Sequence, residues 1–282
     1  MPYSGDQLPL IERASLNDGL SMKKRRLRWA VFVVLGLSVS PFAQASDLTA
    51  DQVRELLAKA DRQMPADLAG RDLSDLDLSN VDFKRANLSG ANLFASRLVS
   101  SNLAGANLAR ANLNGAWLMG ATFAGANLSG SSMLGLVILG GEVREKPNFA
   151  GANLSGVRMI ADLPGADLRG ADLSQANLGV DIRNQGMGQM RTDLSGAKLT
   201  GANLRDANLN RAVMMFADLS GANLTGANLF RVKLSGADLT GADVAGADFT
   251  EADLDGTILK NVKGIGAAKG MDKATNRDKA VY

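Results

Sequence analysis

The sequence predicts an all-β chain wound as a four-sided β-helix of about nine coils, closed at its start by a short helix. Three observations predict it. Large apolar residues recur every five positions, as in GANLTGANLF (Gly221–Phe230). A small residue stands two positions before most of them: of 36 such centres 27 are Leu, and 24 have Ala two residues earlier. Ser or Thr and then Gly usually follow. A five-residue period fits neither standard element. On an α-helix it would spiral the leucines around every side, and on a flat strand it would send alternate leucines to opposite faces. It does fit short extended sides joined by tight corners. Within a side the Ala and the Leu face inward and the Asp or Asn between them faces outward. The corner turns the chain by about a right angle, and Gly suits it because it takes positive φ without steric cost. Four corners close a coil of about twenty residues, and successive coils stack at about 4.8 Å, the spacing of paired strands.

The register holds from Leu68 to Ile138, resumes over Phe149, Leu154 and Met159, slips by one to Leu163–Leu178, and runs again from Leu194 to Leu259. This pattern, A-(D/N)-L-(S/T/R)-G, resembles that of the pentapeptide repeat proteins. The resemblance implies a right-handed quadrilateral β-helix over 66–260 with a lumen filled by Leu and Phe. At the strand-stacking rise nine coils would make a rod of about 40–45 Å.

The remaining segments follow in order. From Met22 the chain reads MKKRRLRWAVFVVLGLSVSPFAQA, a basic stretch, an apolar run from Trp29 to Val39 and Ala43-Gln44-Ala45. That is the form of a secretory signal peptide over 1–45 cleaved after Ala45. A periplasmic or secreted location follows. An inner-membrane anchor formed by 29–39 is the alternative, although the run is shorter than the roughly 17–25 residues a spanning helix needs. Residues 1–21 lack the character of a signal segment, so Met22 is the expected translation start. Over 46–65, Thr49 and Gln52 have the spacing of a capping box, and Val53, Leu56, Leu57 and Ala60 form an apolar stripe. A helix over about Ala50–Arg62 is predicted, capping the first coil. Irregular loops are expected at 140–148 and 179–191, and 261–282 is expected to be a C-terminal cap, with a brief helix over Met271–Tyr282.

Composition narrows the function. The chain has 282 residues, Lys+Arg 31 against Asp+Glu 29, and neither Cys nor His. Disulfides, His triads, Cys nucleophiles and the usual zinc sites are excluded. No catalytic constellation is present, a filled lumen offers no pocket, and no cofactor or metal is expected. Ser195-Gly196-Ala197-Lys198 has the form S-x-x-K but lacks its companion motifs. The outward Asp and Asn residues are expected to hydrogen-bond their own corners. Some relatives implied by the resemblance bind gyrase by mimicking DNA. That rival reading requires a markedly acidic face and a cytoplasmic location, whereas Ala66–Lys260 holds 20 acidic and 17 basic residues. No nucleic acid partner is expected, and a membrane partner only if the signal segment is retained.

Departures from the repeat are the candidates for function. Aligned at a spacing of twenty, Asp77, Arg97, Trp117 and Val137 share one outward column, with Ser79, Val99, Met119 and Leu139 beside it. Arg97, Val99, Trp117, Met119, Val137 and Leu139 therefore form a predicted protein-interaction patch, with Arg97 placed to stack on Trp117. Two readings stay open: a protein partner docks there, or the loop Gly140–Asn148 folds over it. Val213, Met215 and Phe216 are a second departure, open to the same two readings with the loop 179–191. A non-catalytic, exported, protein-binding scaffold is the reading that results; partner identity and oligomeric state are not encoded in these patterns.

Overall fold

The computed structural model describes residues 46–61, 63–83, 85–138, 146–180 and 191–282. The signal segment, Leu139 and most of both loops lie outside the described residues.

Five-residue sides stack as the period requires. Asp67 pairs in parallel with Asn87, Asn87 with Asn107 and Asn107 with Asn127, and the ladders that start at Asp72, Asp77 and Asp82 step by the same twenty residues. We number the four faces in that order. Each side has only two or three extended residues before it turns, so nearly all pairing consists of single bridges. The exception is β1 (Ser132–Leu134) against β2 (Arg158–Ile160), where three residues pair in parallel register.

The lumen holds every centre except Ile138, which is only half-buried, and it holds the alanines that precede them. Corners carry left-handed backbone, for example φ 64° at Gly70. Non-glycine residues take the same conformation at other corners, including Phe216 at φ 58°, where a bulky side chain is strained.

Asp and Asn fix the outer wall in two ways. Their Oδ1 atoms accept the N–H two residues on, as Asp67 does from Ala69 (3.2 Å) and Asp248 from Thr250 (2.9 Å). Their amides also climb from coil to coil. Asn87 donates to Asp67 (3.0 Å), Asn107 to Asn87 (3.2 Å) and Asn127 to Asn107 (3.1 Å). The bottom residue of such a ladder only accepts, so a carboxylate serves there and an amide is needed above it.

The interruptions leave the stacking intact. Thr122 pairs with Asn148, six residues beyond the regular spacing; Asn148 pairs with Asp167, one residue short of it; Asp162 pairs with Asp193, eleven beyond. The first loop thus leaves the corner between the third and fourth faces, and the second leaves the corner between the second and third.

Both ends differ from expectation. Helix α1 spans Ala50–Lys59 rather than reaching Arg62, because Ala60 turns extended (φ −81°, ψ 150°). Asp61 then accepts from the N–H groups of Gln63 (2.7 Å) and Met64 (2.8 Å), holding the chain in a turn. The capping box between Thr49 and Gln52 is present. Val53 and Leu57 plug the lumen, but Leu56 faces solvent at 41% exposure. At the other end, 261–282 is no helix over the last coil. It is a further coil with six-residue sides: Lys263, Lys269, Thr275 and Val281 pair with Asp243, Asp248, Asp253 and Ile258. One-turn 3-10 helices at Ile265–Ala267 and Arg277–Lys279 absorb extra residues at its corners. With it, the ladder from Asp67 to Lys263 has ten rungs among the described residues, one more than the repeat text suggests.

That coil depends on Gly270, at φ 68°. A Cβ there would lie 2.6 Å from the backbone nitrogen of Thr250 and 2.7 Å from its Cα. Gly270→Ala is therefore expected to loosen the last coil alone, since stacked coils lean only on their neighbours. The amides of Lys269, Thr275 and Val281, bonded to Ala247, Ala252 and Thr257, should exchange faster by NMR, while those of Asn107 and Asn127 keep their rates. Unchanged protection at Lys269 would contradict the steric argument.

Candidate protein-interaction face

The third face is where the outer wall loses its amide ladder. The bridges run Asp77–Arg97–Trp117–Val137, and Trp117 and Val137 offer neither the corner hydrogen bond nor the coil-to-coil one that Asn supplies elsewhere. The sequence-predicted residues are brought together. Trp117 is half-buried, and the Arg97 guanidinium lies over its ring at 4.9 Å from the centroid. Such a stack holds the indole flat against the wall. Nε of Arg97 also lies 3.9 Å from the Asp77 carboxylate. Val99 and Met119 are half-buried at the following corner, where the N–H of Ser100 donates to the Met119 carbonyl (2.7 Å). Val137 is half-buried too; Leu139 lies outside the described residues.

Three residues that sequence reasoning missed widen this surface. Phe94, 48% exposed, and Leu134 occupy the corner before the third face, and Ile160 pairs with Leu134 one coil on. They stand where Ser or Thr normally follows a centre. Phe94 and Leu134 are forty residues apart, so the same alignment at twenty would have found them; the six-residue insertion hid Ile160.

Beyond the apolar rungs the face turns acidic. Arg158 pairs with Ser132 and Asp167 with Asn148, which puts Asp162 on the third face one coil past Val137, followed by Asp193. Packing around Asp162 and then the charge of Asp193 push its carboxyl above the ordinary range. On the capped side, Arg54 of α1 donates to the Asp77 carbonyl (2.9 Å).

The second departure is not joined to the first. Val213 lies on the same face but beyond Asp162 and Asp193. Phe216 is 70% exposed, and its ring lies over Gly236 of the next coil. No group of three or more carboxylates that could hold a metal ion occurs among the described residues.

The fold and the face can now be set beside known proteins. Pentapeptide repeats match residues 66–98, 96–133, 148–179, 192–229 and 227–263, in eight copies. The chain belongs to the pentapeptide repeat family. Pentapeptide repeat proteins form right-handed quadrilateral β-helices and are generally non-catalytic scaffolds. Among solved structures the chain is similar to HetL, a pentapeptide repeat protein of the cyanobacterium Nostoc involved in heterocyst differentiation regulation. The identity is 28%, over 83% of this chain and 100% of HetL, with a TM-score of 0.49. It is also similar to Rfr23 of the cyanobacterium Cyanothece, at 27% identity over 43% of this chain and 90% of Rfr23, TM-score 0.23. QnrB1, a plasmid-mediated fluoroquinolone resistance protein, matches at 24% identity over 72% of this chain and 80% of its own, TM-score 0.25. No curated protein matches the sequence.

Proposed function

We propose that this pentapeptide repeat protein is an exported, non-catalytic scaffold that docks a protein partner on its third face around Trp117. One observation carries the reading. Trp117 and Val137 occupy positions where Asn stabilises the neighbouring faces, and nothing in the wall gains from the exchange. A local rule broken without structural compensation marks a position kept for something else. An indole flattened under a guanidinium and flanked by apolar corners is also the kind of anchor that protein interfaces favour.

Export rests on the segment from Met22 to Ala45. Cell fractionation is expected to find the chain in the periplasm, beginning at Ser46; full-length chain confined to the cytoplasm would remove this part. For the face, Trp117→Asp is expected to abolish capture of a periplasmic protein while leaving the melting temperature nearly unchanged, since the indole is outside the lumen. Equal capture by both forms would defeat the reading.

A further inference from the structure

The third face is graded as well as apolar. From the capped end it presents Arg54 and Arg97 around Asp77, then Trp117 and Val137, then Asp162 and Asp193. A surface that is basic, apolar and acidic in sequence is complementary to itself when reversed.

We infer that the partner docked on this face is a second copy of the chain, laid antiparallel with the two-fold axis between the Trp117 and Val137 rungs. The inference rests on the docking role proposed for the face. In that register Trp117 meets Val137 of the second copy, and Arg97, one rung before, meets Asp162, one rung beyond. The symmetry makes both pairings twice, as an isologous interface requires. A two-fold axis lying across the stack keeps each edge of the face on its own side. Along one edge exposed Phe94 therefore meets Ile160 of the second copy, and along the other Val99 meets exposed Pro164. Apolar residues thus meet apolar ones at both edges.

Neighbouring registers fail. With the axis on the Trp117 rung, Asp77 faces Asp162 and Arg97 faces Val137. With the axis on the Val137 rung, Trp117 faces Asp162 and an acidic group is set against an apolar ring. A parallel arrangement sets Arg97 against Arg97 and Asp162 against Asp162. Like charges and unpaired buried charges select against all three. The overlap from Asp77 to Asp193 spans six rungs, about 29 Å at the strand spacing, and one face in width. That is at the small end of specific interfaces, so a dimer with a dissociation constant on the order of micromolar is expected.

Charge exchange tests this. Sedimentation velocity on the purified full chain, from about 1 to several hundred micromolar, should show a monomer–dimer equilibrium that weakens with salt. Arg97→Glu and Asp162→Arg should each weaken it at least about tenfold, and the double exchange should restore it to within a few-fold of the parent. Circular dichroism checks each variant, and Arg97→Gln with Asp162→Asn serves as a milder pair if a reversal unfolds the chain. A parent that stays monomeric, single reversals that dimerise like the parent, or a double exchange that stays monomeric would each overturn the inference. If the parent is monomeric yet Trp117 still governs capture of another protein, the docking face stands and the second copy alone is refuted. If Trp117→Asp changes neither, both fall.

Discussion

Phe149→Ala is expected to be among the most damaging single changes in the molecule, costing about 3–5 kcal/mol. Phe149 is fully buried, and its ring stacks on that of Phe123 with centroids 5.0 Å apart and planes at 11°. The pair sits where the first loop leaves the stack, because Thr122 and Asn148, their neighbours, are the rungs joined across the six-residue insertion. Backbone bonds still cross there, from Phe123 to the Asn148 carbonyl and from Phe149 to the Asp167 carbonyl, both 2.7 Å. The insertion adds chain entropy that this junction must overcome, and the stacked rings add about 0.5–1.5 kcal/mol beyond their burial. Urea unfolding of Phe149→Ala and Phe149→Leu should separate the two contributions, with the Leu variant losing far less. A loss below about 1 kcal/mol for the Ala variant would mean that the rings do not join these coils.

Leu108→Ala is expected to cost about 2–5 kcal/mol, and its neighbour Asn107→Ala only about 1 kcal/mol. Leu108 is fully buried in a lumen with Leu88 below it and Leu128 above, and a one-dimensional column cannot collapse sideways to fill a hole. Asn107 faces out. It donates to Asn87 and accepts from Ala109 and from the Asn127 amide, and water replaces much of that when it is removed. Adjacent residues with a several-fold difference in cost are the thermodynamic signature of the inward/outward alternation. Equal costs in urea titrations would put that alternation in doubt.

Some of this was legible in the chain itself. The five-residue period with its small and large inward sites assigned nearly every buried residue, and the capping box at Thr49 marked the start of α1. Alignment at twenty gathered Arg97, Trp117 and Val137 before any coordinates were consulted. Other features were not legible by that rule. The C-terminal segment went unread as a coil because its small inward residues, Val262, Ala268, Ala274 and Ala280, recur at six and not at five. Leu56 fits the stripe of α1, yet the lumen is narrow enough to need only Val53 and Leu57. Ile160 could join Leu134 only once the loop length between their coils was known.

The sequence by itself determined which side chains point inward, how many sides a coil has and which outward positions break the pattern, because a period is a local property that every unit repeats. Only the tertiary structure decided which coil follows which across the two insertions. Loop lengths of six and eleven extra residues leave the stacking partner undetermined until backbone pairing closes. That closure is what sets Asp162 and Asp193 one after the other beyond Val137, and so gives the third face its graded charge.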